Sequence, residues 1–332
     1  MHRRTRRTLL IVAAVLVLLA LAIFLRSKAP PEAARLLPEP DGILYIDLKP
    51  VRGFFRKVKP PERAPDYQQF VDATGIDWEQ DLDQVAIGLY RMPDPNGPNG
   101  PVAYSLVLVG KLTGSKLNSW LESHAAARES YAGKTIYDIP SEGRTVRVAQ
   151  IGYDMLAVSN TPTAEQIHSI IDRHRTAALP FSGSSLLAAH YRDVPLLSVT
   201  WGMGQIGLPF SESGSIRVFG FSLPLQPDST IIASVAPALP VPGSLGALRL
   251  KVEEIAPSEQ AAVSQAADLA TLVTLARGMA VPLGDNAANN GLKTLLKTAE
   301  VTQHRDRVIV TAALPASFLT QLVAGEESAA SN

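Results

Sequence analysis

The densest group of side chains able to handle protons is His190-Tyr191-Arg192-Asp193, just ahead of a β-rich run. An imidazole, a phenol, a guanidinium and a carboxylate in one short stretch leave a catalytic reading open, that of an exported hydrolase. The same four residues equally suit a polar connection from helix to strand. The acidic run Asp77-Trp78-Glu79-Gln80-Asp81-Leu82-Asp83 sets carboxylates at the first, third and fifth positions of a calcium loop. Leu82 then stands where glycine must turn that loop, and Gly88 where a bidentate glutamate is needed, so the run reads as a solvated or capped turn. Gly110 to Lys116 has the residue types of a phosphate loop without its spacing.

The histidines are His2, His124, His168, His174, His190 and His304. None pair at i, i+4, and His168 and His174 lie on different sides of one helix, which argues against a zinc site. The chain has no cysteine, which removes disulfides, thiol nucleophiles and thiolate metal sites. No G-x-S-x-G elbow occurs, and no G-x-G-x-x-G opens a helix after a strand. No catalytic, cofactor-binding or metal-binding residue is assigned, and the pattern argues against a standard enzyme.

What must position these groups is a chain of 332 residues, enough for about two domains at roughly 100–200 residues each. A hydrophobic content of 46% with 19% charged residues is that of a folded protein. Lys plus Arg equals Asp plus Glu at 31 each, so no net field draws nucleic acid, and aromatics at 6% make a poor stacking platform.

The first 28 residues give an address. Arg3, Arg4, Arg6 and Arg7 precede an uncharged run from Thr8 to Leu25. As a helix that run spans about 27 Å, close to the hydrocarbon thickness of a bilayer. The basic flank keeps the N-terminus in the cytoplasm and sends the rest outside. A cleaved signal peptide is the alternative, but the run is longer than an ordinary signal core and no convincing small-x-small site follows. Thr5 to Leu10 also has the look of a twin-arginine signal, without its downstream lysine.

Residues 29–36, with Pro30-Pro31, read as a linker. Strands are expected over Ile43–Leu48, Val85–Arg91 and Val102–Leu112, the last two joined by the Pro- and Asn-Gly-rich loop of residues 93–101. A helix starts at Ser115 with Leu117, Trp120 and Leu121 on one face. Short strands follow near 135–138, 145–151 and 155–159, then a helix opened by Thr161-Pro162. In the second half, strands are read at Pro195–Trp201, Ile216–Leu223, Thr230–Ala236 and Leu245–Ile255. They are followed by a long helix from Ser258 to Met279, a short one at Leu292–Leu296, and a hairpin turned by Arg305-Asp306. Pro315 opens a last helix.

Met155–Ile171 and Val308–Val323 match in kind, each an apolar strand followed by a proline-started helix, and suggest a diverged duplication. Strands arriving in groups favour the α+β class. The expected architecture is an N-terminal transmembrane helix followed by two antiparallel or mixed sheet units with helices on one face. Its parts are residues 1–28 (basic tip and span), 29–36 (linker), 37–180 and 181–324 (the two domains) and 325–332 (disordered tail).

Leu37-Pro38-Glu39-Pro40-Asp41-Gly42 through Tyr45-Ile46-Asp47 resembles the opening of a loose group of uncharacterised bacterial envelope proteins with an N-terminal anchor. Thr74-Gly75-Ile76-Asp77 with Asp81-Leu82-Asp83, and Leu314-Pro315, resemble two further elements of that group. The resemblance implies an inner-membrane protein with its soluble part in the periplasm, and no reaction. The function expected is a tethered binding or scaffold protein, touching the membrane through residues 8–25 and an envelope protein or lipid beyond it. A carrier of apolar ligands in a helix–sheet cleft is the second reading. No cofactor and no nucleic acid is expected.

Overall fold

In a computed structural model, the residues described are 29–50, 52, 65–97, 100–176, 183–207, 215–218, 221–226, 228–237, 248–280 and 287–315. The expected membrane span, the last helix beyond Pro315 and the tail lie outside them. No described helix is long and apolar enough to cross a membrane.

Among the described residues, twelve strands form one antiparallel sheet. They are β1 (Gly42–Asp47), β2 (Leu82–Arg91), β3 (Val102–Gly110), β4 (Ala127–Tyr131), β5 (Lys134–Ser141), β6 (Arg144–Gln150), β7 (Met155–Ser159), β8 (Thr200–Gln205), β11 (Thr230–Pro237), β12 (Leu248–Ile255), β13 (Glu300–His304) and β14 (Arg307–Leu314). A separate hairpin, β9 (Ser215–Val218) with β10 (Phe221–Pro224), replaces the single strand expected at Ile216–Leu223. The order across the large sheet is β13-β14-β12-β11-β8-β1-β2-β3-β7-β6-β5-β4.

Two sheet units were expected, and the strands instead make one ladder. The seam is β1 against β8, with Tyr45 opposite Trp201 and Gly42 opposite Gly204. Each half leaves the edge of its first strand unpaired, and an unpaired edge is satisfied most directly by another strand. Both halves are wired alike. Three strands are laid side by side, β1-β2-β3 and β8-β11-β12, and a helix follows the third. The last strand of the half then returns beside that third strand, β7 against β3 and β14 against β12. Glu39 (φ 35°) and Leu197 (φ 65°) hold left-handed backbone at the same place, three residues ahead of β1 and β8.

Helices were expected on one face and occur on both. One face carries Leu106, Ile87, Leu44, Gly202, Ala233, Val252 and Val310 in a row. On this face lie α2 (Pro65–Thr74), the single turn α3 (Trp78–Asp81), α4 (Ser115–His124), α7 (Glu259–Ala280) and α8 (Ala287–Thr298). Leu117 and Leu121 of α4 pack on Leu108 and Leu156, while Ala262 and Leu269 of α7 pack on Val308.

The opposite face carries Val107, Ala86, Tyr45 and Trp201. It is covered by α1 (Glu32–Arg35), α5 (Glu165–Arg175) and α6 (Ser185–His190), whose Ala33, Ile167, Ile170, Ile171 and Leu187 are buried there. The cause lies in the strands. Val107 and Leu108 are adjacent and both buried, so their strand needs cover on both sides. Residues 32–35, read as part of a linker, are α1, and the buried Leu36 and Leu37 follow them into the core.

Candidate functional site

His190-Tyr191-Arg192-Asp193 closes α6 and forms a 3-10 turn over the middle of the second face. Ser184 caps α6, accepting a hydrogen bond from the N–H of Leu187 at 3.3 Å. The carboxylate of Glu39 sits at the same helix end, accepting the N–H and hydroxyl of Ser185 at 2.9 and 2.7 Å and pairing with Arg173 at 3.0 Å. The ring of Tyr191 meets Trp201 edge-on at 5.4 Å, and Trp201 stacks on Tyr45. Burial pushes the phenols of Tyr45 and Tyr191 up, so both stay protonated.

Asp193 joins partners that the local sequence does not show. Its carboxylate pairs with Arg307 of β14 at 3.2 Å. Arg307 also holds Glu253 of β12, and Lys251 takes the other oxygen of Glu253 at 2.6 Å. Lys251 Nζ reaches the carbonyl of Asp193 at 3.4 Å. Glu253 is 2% exposed, and these two cations hold its carboxyl below the usual glutamate range against the opposing effect of burial. Burial lowers His190. Arg192 is exposed and outside the network. Two carboxylates face one lysine and one arginine, so the charges neutralise one another and fasten the 190–193 turn to the sheet. The one sequence signal was Lys251-Val252-Glu253, which puts opposite charges on one face of a strand at period two.

The next residue, Glu254, is also 2% exposed but faces the other way, toward α7. Its Oε1 accepts the N–H of Gln226 at 2.8 Å and the hydroxyl of Ser229 at 2.9 Å. No cation pairs with it among the described residues, and burial raises its pKa above the ordinary 4.5, those hydrogen bonds opposing. A carboxyl raised on folding contributes stability that is complete below the unfolded value and is lost as pH rises through the native one. Glu254→Gln lacks that loss. The stability difference between variant and parent should shift in the variant's favour from about pH 5 to about pH 8 in urea titrations. A difference independent of pH would show that Glu254 does not titrate this way.

The acidic run separates rather than converges. Asp77 accepts the N–H of Glu79 at 3.1 Å and the hydroxyl of Tyr67 at 2.9 Å, and Asp81 accepts the N–H of Asp77 at 2.9 Å. Asp83 pairs with Lys49 at 3.1 Å and Arg52 at 2.9 Å. Among the described residues no group of three or more His, Cys, Asp or Glu is placed to hold a metal ion. Lys116, at the end of the loop with phosphate-like composition, lines a shallow groove of about 480 Å³ with Asp72, Ser115 and Trp120. Its amine is turned to the carbonyl of Asp72 at 3.4 Å. His168 stacks on Tyr131 at 3.9 Å and faces Glu129 at 2.8 Å, which ties α5 to β4.

A further surface feature among the described residues is on α7. Leu272, Leu275 and Met279 are 36, 60 and 71% exposed. Arg277, the one charged residue among its last ten, folds back onto the carbonyls of Leu296, at 2.8 Å, and Ala299. Leu272, Leu275 and Met279 leave the outer side of this half of the helix mostly apolar, with Thr271 and Thr274 between, and both threonine hydroxyls donate to carbonyls of their own helix.

Fold and site together define an α+β protein built on one large antiparallel sheet. No family model matches the chain, and no curated protein matches it. Among solved structures it is similar to crystal forms I and III of TP0453, at 10% and 11% identity with TM-scores of 0.40 and 0.42. The matches cover 90% and 89% of this chain and 98% and 99% of that one. Similarity of this degree carries no argument about function.

Proposed function

We propose that the chain is a membrane-tethered binding or scaffold protein of the bacterial envelope, anchored by residues 8–25 with its N-terminus in the cytoplasm and its folded part in the periplasm. The basic flank and uncharged run at the N-terminus support the tether, and the resemblance at residues 37–47 supports the address. The like wiring of the two halves supports descent from a duplicated unit. The observation that carries the binding reading is the apolar outer side of α7. An exposed run of large apolar side chains on a helix, with Arg277 beside it held to the carbonyls of Leu296 and Ala299, is what a docking surface for another protein requires.

A photo-crosslinking residue at Leu275, in the full chain in membranes, is expected to capture one defined envelope protein. Met279→Asp should abolish that adduct without changing the protein's level. Failure to crosslink at Leu275, or an adduct indifferent to Met279→Asp, would overturn the reading.

A further inference from the structure

The two outer strands of the sheet are not treated alike. β4 carries Arg128 and Glu129, and both are engaged. Arg128 lies over the ring of Tyr137 at 5.7 Å and bonds the carbonyl of Glu122, while Glu129 faces His168. β13, at the other edge, reads Glu300-Val301-Thr302-Gln303-His304. It has no lysine, no proline and no bulge in its register with β14, the features that usually keep an edge from pairing. The like wiring of the halves says what such an edge accepts. β13 holds the place that β6 holds in the first half, and the outer edge of β6 is filled by antiparallel β5.

We infer that the outer edge of β13, which pairs with no other strand among the described residues, is a self-association site, at which a second copy of this chain pairs its own β13 antiparallel across a two-fold axis at Thr302. The hydrogen-bond pattern allows this register. His304 and Arg307 close the two-residue turn, so alternation along the strand directs the backbone groups of His304, Thr302 and Glu300 to β14. Those of Val301 and Gln303 face outward. Centring on Thr302 places Val301 opposite Gln303 of the copy, and each pair exchanges two backbone hydrogen bonds. Glu300, Thr302 and His304 all lie on the face that carries Lys251 and Trp201. The register therefore sets Glu300 against His304 of the copy, twice, and Thr302 against itself. The imidazole can donate a hydrogen bond to the facing carboxylate, and threonine pairs are favourable cross-strand neighbours. The symmetry is closed, so the product is a dimer and not a fibre.

The absence of native cysteine makes the test direct. Thr302→Cys places two sulfurs on a non-hydrogen-bonded pair, with Cα atoms about 4.5 Å apart. In the full chain held in detergent, this variant is expected to form a disulfide dimer under mild oxidation. His304→Cys, whose copies lie several residues apart along the strands, should not. Gln303→Pro removes an outward N–H, together with the side-chain hydrogen bond to the carbonyl of Arg305, and should weaken self-association at least tenfold by sedimentation equilibrium, with circular dichroism unchanged. Glu300→Lys should weaken it too, and adding His304→Glu should restore it. A monomeric parent chain, or equal crosslinking by Thr302→Cys and His304→Cys, would overturn the inference.

Discussion

Gly110→Ala is expected to destabilise the protein by about 3 kcal/mol in urea unfolding. A Cβ at this position would lie 2.0 Å from the carbonyl oxygen of Asp81 and 3.0 Å from Cα of Leu82. Neither atom is free to withdraw. The Asp81 oxygen accepts the N–H of Lys111 at 2.8 Å, Gly110 itself donates to the carbonyl of Asp154 at 2.8 Å, and the register of β2 shifts beside it between Leu82 and Gln84. Backbone would have to move where β2, β3 and the loop ahead of β7 meet. Gly278, in α7, has nothing within 4 Å of its Cβ position. Gly278→Ala should stabilise by about 0.5–1 kcal/mol, because there alanine only restricts the unfolded chain. If both substitutions had the same sign, close approach would not be the reason glycine stands at position 110.

The second large effect is expected at Arg307. Arg307→Met leaves Glu253, 2% exposed, with Lys251 as its one remaining cation and strips Asp193 of its ion pair. Breaking a buried pair from one side costs more than deleting it, so a loss of about 3 kcal/mol is expected. The double variant Glu253→Leu with Arg307→Met should regain part of this. The sign with pH is fixed. The carboxyl of Glu253 is lowered on folding, so its contribution is present above the unfolded value of 4.5 and disappears as pH falls through the native one. The difference between parent and Arg307→Met should therefore shrink in acid. A double variant no better than the single would show that the guanidinium acts by packing and not by charge.

Much of the fold is written locally. The hairpin of β2 and β3, the turn at Arg305-Asp306 and the long helix from residue 259 follow from alternation, turn chemistry and capping. β4 was hidden because Ala-Arg-Glu-Ser-Tyr, exposed at four of five positions, has no apolar alternation to read. The helix expected from Pro162 begins at Glu165, since Thr161 spends its hydroxyl on the carbonyl of Thr163 and makes a turn first. The seam between β1 and β8 was illegible for another reason. It joins residues 155 apart, as Thr200 Oγ1 to the carbonyl of Tyr45, and no local pattern encodes a partner at that distance. The candidate site shows the same split. His190 to Asp193 stood out by composition, whereas Arg307 and Glu253, which decide what Asp193 does, come from strands much later in the chain.

That seam also has a consequence for the order in which the polypeptide is made. Synthesis runs from the N-terminus, so β1 to β7 can assemble while β8 is still unborn. Until residue 200 emerges, β1 presents a bare, apolar margin flanked by the finished β2. The nascent half is therefore most prone to wrong pairings in that interval, and anything that slows elongation between residues 160 and 200 lengthens it.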